Sequence, residues 1–401
     1  MTDEPKGSLA LIRDRTFGRY LVTNFTSNIG NWFQNVAAGI VIFQLTGSNT
    51  LVGFVSVLQF VGTLVLSPWS GALADRANRR LLLLWAQVIS AAGAVGVAIW
   101  VALTGVEGLP GVWPIFLASG IIGLGYALGI SAMNALVPAL VEPKDLSGAI
   151  ALNSTSFTLA RAIGPALAGA VVAGLGAAWA FGINALTFLP LIIVLVIIRP
   201  RKVERPSGDR SVRAGFAYVR QNPSMLWLVL GVLAVGWAGD PVNTLSPAYA
   251  DLFGLDETFV GLQVGAFGTG AAIVSTQVAR LAARLGFERT TQLGMVVLAA
   301  GLIGFAVAPV PWVVIVSLFL GGSGFVLGVA TTNANLQQRL DESMRGRVMA
   351  LWSMAFLGSR PLAAIVDGGI ADLVSPRVGV ASAVIPLLVG LWAMGRVRPN
   401  S

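Results

Sequence analysis

Long apolar stretches, broken at intervals by charged residues or Gly/Pro turns, recur along the whole chain. They fall near residues 17–45, 50–74, 81–104, 112–137, 146–175 and 178–198, and again near 225–250, 258–284, 290–309, 312–337, 346–373 and 376–395. Crossing ~30 Å of hydrocarbon takes about 20 residues of helix, so each stretch can span a bilayer. The pattern predicts an all-α integral membrane protein with twelve transmembrane helices. It divides into an N-terminal six-helix bundle over 1–198, a cytoplasmic linker over 199–224 and a C-terminal six-helix bundle over 225–401. The spans at 17–45 and 146–175 are broad enough to include interfacial turns. Twelve spans of about 21 residues take up roughly 252 positions and leave little for a soluble domain.

Composition sharpens this picture. The 401 residues are 55% hydrophobic and 11% charged, with a mean hydropathy of +0.79; soluble domains carry roughly 25% charged residues. Cysteine and histidine are both absent. Their absence removes disulfides, thiol nucleophiles, Ser-His triads, imidazole metal ligands and histidine proton relays. No metal or other cofactor is expected, and a coupled proton must ride on a carboxylate. The three lysines, Lys6, Lys144 and Lys202, never follow a glycine, so no nucleotide-binding Gly-Lys-Ser/Thr loop is present.

All but Arg161, Arg360 and Arg377 of the 26 basic residues fall in or beside the tails and even-numbered loops. The positive-inside rule then places both termini and the linker in the cytoplasm of a multi-pass plasma (inner) membrane protein. The net charge of +8 thus reads as membrane orientation, with no nucleic acid as partner. The external turns carry Glu107, Asp251, Asp256 and Glu257. The first span follows Arg13, Arg15 and Arg19 without a small-residue cleavage site and reads as a retained helix. The linker from Arg199 to Arg220 is basic and proline-broken, with an amphipathic stretch near Phe216 and Tyr218. It is expected to lie against the headgroups of anionic membrane lipids.

The halves repeat weakly. Asp145-Leu-Ser-Gly148 parallels Ser343-Met-Arg-Gly346, and Leu73-Ala-Asp75-Arg76 parallels Leu281-Ala-Ala283-Arg284. Six spans per half make the repeat parallel, with its axis along the membrane normal and a substrate path between the halves. The loop after the second span reads Gly71-Ala-Leu-Ala-Asp75-Arg76-Ala-Asn-Arg79-Arg80. Its glycine permits close helix approach, its acid can face a helix N-terminus and its arginines can bind carboxylates or phosphates. The alternative is an ordinary positive-inside anchor.

This loop resembles the Gly-x-x-x-Asp-Arg-x-x-Arg-Arg pattern of the major facilitator superfamily. The resemblance implies that fold, with two bundles related by a pseudo-twofold axis, and a cytoplasmic latch in which Asp75 and Arg79 act. The second-half copy has Ala283 in place of the acid, which leaves that latch partial. In the fifth span, Arg161-Ala-Ile-Gly164-Pro165-Ala-Leu-Ala-Gly169 is similar to the Gly-Pro motif of the superfamily's antiporters, or else is a packing kink. Residues 341–350, Pro247 to Asp251 and Gly261-Leu262 resemble the drug and siderophore exporter branch. The fourth span departs from many proton-coupled members in having no arginine. Members of the superfamily are expected to be monomers.

Polar residues within the spans locate candidate chemistry without the resemblance. Asn24, Asn28, Asn31 and Asn35 follow spacings of 4, 3 and 4 and share one helical face. Such a stripe either hydrogen-bonds neighbouring helices or lines a wet cavity. The tenth span offers Thr332, Asn333, Asn335, Gln337 and Gln338. Gln59, Asn134, Asn153, Asn243 and Gln263 add carboxamides, and Trp32 and Trp352 add aromatic surface. Amides and aromatics suit a large, amphipathic or weakly charged solute. Among charges, Asp240 precedes Pro241 about 15 residues and ~22 Å into the seventh span. Arg161 and Arg360 lie at similar depth in the fifth and eleventh spans, and intramembrane charges are functional candidates by default. Asp240 is either the proton-coupling acid or half of a structural Asp–Arg pair. Asp367, seven residues after Arg360, reads as a gate or salt-bridge partner nearer the outer surface. The sequence as a whole points to a secondary transporter that exports small organic molecules of drug or siderophore type in exchange for protons. An uptake symporter or a lysolipid-flipping carrier is the alternative, and no enzymatic site is apparent.

Overall fold

The computed structural model describes residues 6–76, 78–201, 212–340 and 342–397, all helical or in the turns between helices. The first half contains α1 (Ser8–Ile12), α2 (Phe17–Thr46), α3 (Asn49–Arg76), α4 (Arg79–Thr104), α5 (Trp113–Leu140), α6 (Leu146–Leu175) and α7 (Ala177–Ile197). The second contains α8 (Val212–Gln221), α9 (Pro223–Ala238), α10 (Pro241–Thr244), α11 (Ser246–Leu252), α12 (Glu257–Ser275) and α13 (Val278–Leu285). It continues with α14 (Phe287–Val307), α15 (Pro311–Gln338), α16 (Glu342–Leu373), α17 (Pro376–Ser382) and α18 (Val384–Met394).

Ten helices among the described residues are long and apolar enough to cross a membrane. The other two predicted spans are also helical, as the 30-residue α2 and the 28-residue α3. The expectation of turns within the broad first and fifth spans is corrected: α2 and α6 run unbroken, and the turns lie outside them. Three spans expected to be continuous are instead divided. The seventh breaks at Gly239-Asp240 and again at Leu245, because Pro241 and Pro247 lack the N–H that a continuing helix needs. The eighth ends at Ser275, and α13 follows as a separate helix bearing Arg280 and Arg284. The twelfth breaks at Ala383, where Pro386 cannot donate to the Ser382 carbonyl.

The chain forms two compact units. One comprises residues 1–41 and 58–207, the other residues 42–57 and 208–401. In the first, α4 packs on α5 and α7 while α1 rests on α6. Leu11, Phe17, Tyr20, Leu83, Leu136 and Leu191 form its main apolar cluster. Lys6 ties its N-terminal end: its backbone N–H donates to Asp145 Oδ1 at 2.8 Å and its ammonium lies 3.3 Å from Asp14. Burial pushes the Asp14 carboxyl up, but the N–H groups of Thr16 and Phe17 and the Lys6 ammonium outweigh it and hold the group below its ordinary range. Asn78 caps α4, and Arg80 donates to the Ile198 carbonyl at 2.8 Å at the end of α7.

In the second unit α15 packs on α12 and α14, and α9 on α16 and α18. Glycines set the α14–α15 approach: a Cβ on Gly301 would stand 2.5 Å from Gly321 N, and one on Gly294 2.5 Å from Gly328 N. Backbones this close gain dispersion contacts without a hydrophobic driving force, as helix association in lipid requires. Large apolar side chains such as Leu103, Leu186 and Val307 point outward, as the lipid-facing surface of a multi-pass membrane protein should.

Candidate functional site

The break after α9 builds the charged part of the site. Gly239 ends α9 and Pro241 opens α10, so Asp240 sits where the helix is interrupted. Its side chain has no exposed surface. Thr244, one turn on, donates its hydroxyl to Asp240 Oδ2 at 2.7 Å, and Arg360 Nε of α16 lies 3.7 Å from Oδ1. That separation is an ion pair and too long for a hydrogen bond. Pro361 follows Arg360 and cannot donate to the Leu357 carbonyl, which loosens α16 at this level.

Asp367 is 1% exposed. Its Oδ1 accepts from Ser382 Oγ at 2.9 Å and Trp237 Nε1 at 3.4 Å, and its Oδ2 has no hydrogen-bond partner. Trp237 lies one turn before Asp240, so it links the break in the seventh span to Asp367 on α16. Beside them runs an aromatic series. Phe267 and Phe325 have centroids 5.5 Å apart, Phe325 and Phe356 6.1 Å, and Phe356 and Trp352 stack at 5.3 Å. Gly239 lies so close to the Phe325 ring that a Cβ there would collide with it. The Nδ2 of Asn243 and the Nε1 of Trp352 are buried without a hydrogen-bond acceptor.

The asparagine face of α2 divides in two. At its ends, Asn24 donates to Asn153 at 3.4 Å and Gln59 donates to Asn35 at 2.5 Å, so these amides join helices. Between them Asn28 is buried with its Nδ2 lacking an acceptor, and Asn31 and Trp32 are half-buried. The Arg161 guanidinium stands 5.7 Å from the Trp32 ring centroid, within cation–π range. Gly164 makes room for this pair, since a Cβ there would meet Trp32 Cβ at 2.9 Å, and Pro165 cannot donate to the Arg161 carbonyl. The region therefore offers amide donors and acceptors, a flat indole and a cation, a set that can recognise planar and polar parts of one molecule.

Other candidates lie elsewhere. Asn335 donates to Glu288 at 3.3 Å and accepts from Arg339 at 2.7 Å, while Arg339 pairs with Glu288 at 2.6 Å. Asn333 accepts from Gln337. These amides stabilise the charged end of α15. Gln263 is buried and donates to the Ser246 carbonyl at 3.0 Å. The surroundings of Gly71 and the side chains of Asp75, Arg76 and Asn134 lie outside what is described, and Gly169 is buried within α6. Sequence reasoning did not single out Trp237, Thr244 and Ser382, or the buried Gln34–Asn184 pair at 3.2 Å. Trp237 and Thr244 stood within one turn of Asp240 at helical spacing, a usable signal; Ser382 had none.

The profile of a family described as transmembrane secretion effector matches residues 6–400. The enterobactin exporter EntS of Shigella boydii serotype 4 is 28% identical over 397 residues, covering 95% of this chain and 92% of that protein. Among solved structures, a variant of the nucleoside transporter NupG superposes with a TM-score of 0.79 at 13% identity, covering 96% of this chain and 100% of that one. A bacterial homologue of the iron transporter ferroportin, in an inward-facing state, gives 0.75 at 18% identity over 96% and 98% of the two chains. At such identities the structural likeness speaks for the fold alone.

Proposed function

Because this chain belongs to the transmembrane secretion effector family of the major facilitator superfamily, and is thus a transporter and not an enzyme, we propose that it exports small organic, amphipathic molecules of drug or siderophore type by proton-coupled alternating access. The observation that carries the proposal is the charge count at the broken seventh span. Asp240 is paired with Arg360, whereas buried Asp367, joined to the same helix break through Trp237, is held by neutral donors among the described residues. Full ionisation would leave one negative charge uncompensated in a low-dielectric interior, which is costly. A proton removes that cost, and so does a cationic or hydrogen-bond-donating group of a solute. Proton and solute then compete for the same carboxyls, which is the physical requirement of exchange.

The aromatic series from Phe267 to Trp352 supplies apolar surface for the solute beside these carboxyls, and Asn28, Asn31, Trp32 and Arg161 form a separate candidate recognition set in the other unit. The solute drives the cycle only where these contacts differ between conformational states. Export is the task of the enterobactin exporter that is 28% identical to this chain. The same reading places a monomer in the inner membrane with both termini in the cytoplasm. In it α8 lies on anionic headgroups, with Phe216 exposed beside Arg220 and Gly215 seated on the Arg347 backbone.

Purified protein in liposomes with an entrapped pH dye and an imposed proton gradient tests this. The panel comprises amphipathic cationic dyes and catecholate siderophores, enterobactin among them. A panel member should elicit a proton flux that Asp240→Asn abolishes while binding of that member persists. Solute movement indifferent to both the gradient and Asp240 would return Asp240 to a structural role.

A further inference from the structure

Asp372 closes α16, yet its carboxylate serves the start of α3. Oδ1 accepts from the Asn49 backbone N–H at 2.7 Å and from Asn49 Nδ2 at 2.9 Å. Oδ2 accepts from the Thr50 N–H at 2.9 Å and from the hydroxyls of Thr50 and Ser48, both at 2.7 Å. The first N–H groups of a helix have no intrahelical acceptor and favour a negative charge. Ser48 already serves the helix locally, accepting from the Leu51 N–H at 3.3 Å. Asp372 therefore adds a second cap delivered from the far end of the sequence.

Below this cap the two helices touch along a seam of small residues. A Cβ on Gly368 would stand 2.8 Å from the Asn49 carbonyl oxygen, and one on Gly53 would collide with the Ala364 carbonyl. Ala364, Gly368 and Asp372 recur every four residues, on one face of α16, opposite Gly53 and Asn49. The cap thus completes an antiparallel contact of nearly two turns. This contact coincides with the stretch 42–57, which packs in the second unit although the remainders of α2 and α3 pack in the first. All five donors are neutral, Asp372 is exposed, and a cavity of about 550 Å³ lined by Phe43, Gly47, Ala248, Asp251 and Pro376 opens beside it. Water can replace such bonds one by one, as it cannot at a buried ion pair.

We propose that Asp372 is a gate residue, whose cap on α3 holds residues 42–57 against α16 and whose release lets that stretch part from α16 during transport. The assignment rests on the alternating-access reading, because only a cycle that opens and closes needs a releasable cap. Arg360, on the same helix three turns earlier, ties this gate mechanically to the charged site.

The chain contains no cysteine, so spin labels can be placed at will. Cysteines replacing Thr46 and Leu373, both exposed, report the separation of the two segments by double electron–electron resonance in nanodiscs. The unaltered cap should give a dominant short distance. Asp372→Ala should raise the longer-distance population roughly tenfold or more relative to the short one, the factor expected from losing even one charge-assisted hydrogen bond. Ser48→Ala with Thr50→Val removes two donors and leaves the carboxylate, and should shift the distribution the same way by less. Distributions unchanged in both variants would overturn the gate. Because neither solute nor proton gradient enters the measurement, a shifted distribution in a protein without proton-driven transport would retain the gate and discard the export reading. Proton-driven transport with unshifted distances would do the reverse.

Discussion

Arg360 and Asp240 show how one residue decides whether its neighbour can be tolerated. Asp240 has no exposed surface, Arg360 Nε lies 3.7 Å from its Oδ1, and Thr244 donates a hydroxyl to its Oδ2. Removing the guanidinium alone leaves a buried carboxylate without its counter-charge, and such losses typically cost about 3–5 kcal/mol. Arg360→Gln should therefore lower the thermal unfolding temperature of the detergent-solubilised protein markedly. Combining it with Asp240→Asn should restore most of the loss, since neither charge then remains. Equal destabilisation in the single and double variants would show that the pair's electrostatics do not matter to stability. Asp367 differs, because its partners Ser382 and Trp237 are neutral donors; its place near the break at Asp240, and not a salt bridge, is what the structure adds to the sequence reading.

At the scale of elements, helix approach in this chain depends on glycine. Gly301→Val would drive a side chain into the Gly321 backbone of α15, and overpacking of this kind costs about 1–3 kcal/mol. Gly96→Ala, where a Cβ meets nothing within 4 Å, should leave stability unchanged or slightly raised; thermal unfolding of the two variants side by side checks the contrast. Most elements were legible because a membrane helix is an uninterrupted apolar run, and the run survives any choice of neighbours. The breaks at Asp240 and Ala383 were not, because averaged hydropathy stays high across Pro241 and Pro386 while the backbone loses a donor. The candidate site was legible to the extent that charge in an apolar run is conspicuous, as with Asp240, Arg360 and Arg161. Ser382 carries no such mark, Trp237 has only its helical spacing from Asp240, and Asp372 reads as an ordinary charge at the end of a span. Their roles come from which helices lie side by side, and the Asp372 cap joins residues more than 320 positions apart. The amide stripe on α2 stood between two readings: Asn24 and Asn35 hydrogen-bond neighbouring helices, and Asn28 Nδ2 is buried without a hydrogen-bond partner.

For the whole molecule, the membership in a transporter family and the likeness to solved transporters fix the fold and the general task, and the chemistry of each unit suggests the rest. One unit presents amides, an indole and a guanidinium; the other presents two carboxyls, a guanidinium and an aromatic series. On the proposed reading, competition between a solute and a proton at Asp240 and Asp367 would convert binding into exchange. The most direct test runs the cycle from the solute side. Liposomes containing the purified protein are loaded with the accepted panel member, diluted into solute-free buffer at equal pH on both sides, and followed by the entrapped pH dye. Exchange predicts that solute leaving down its own gradient pulls protons inward and acidifies the lumen, and that Asp240→Asn abolishes the signal. Solute efflux with an unchanged lumen pH, or with protons leaving alongside it, would contradict proton-coupled export.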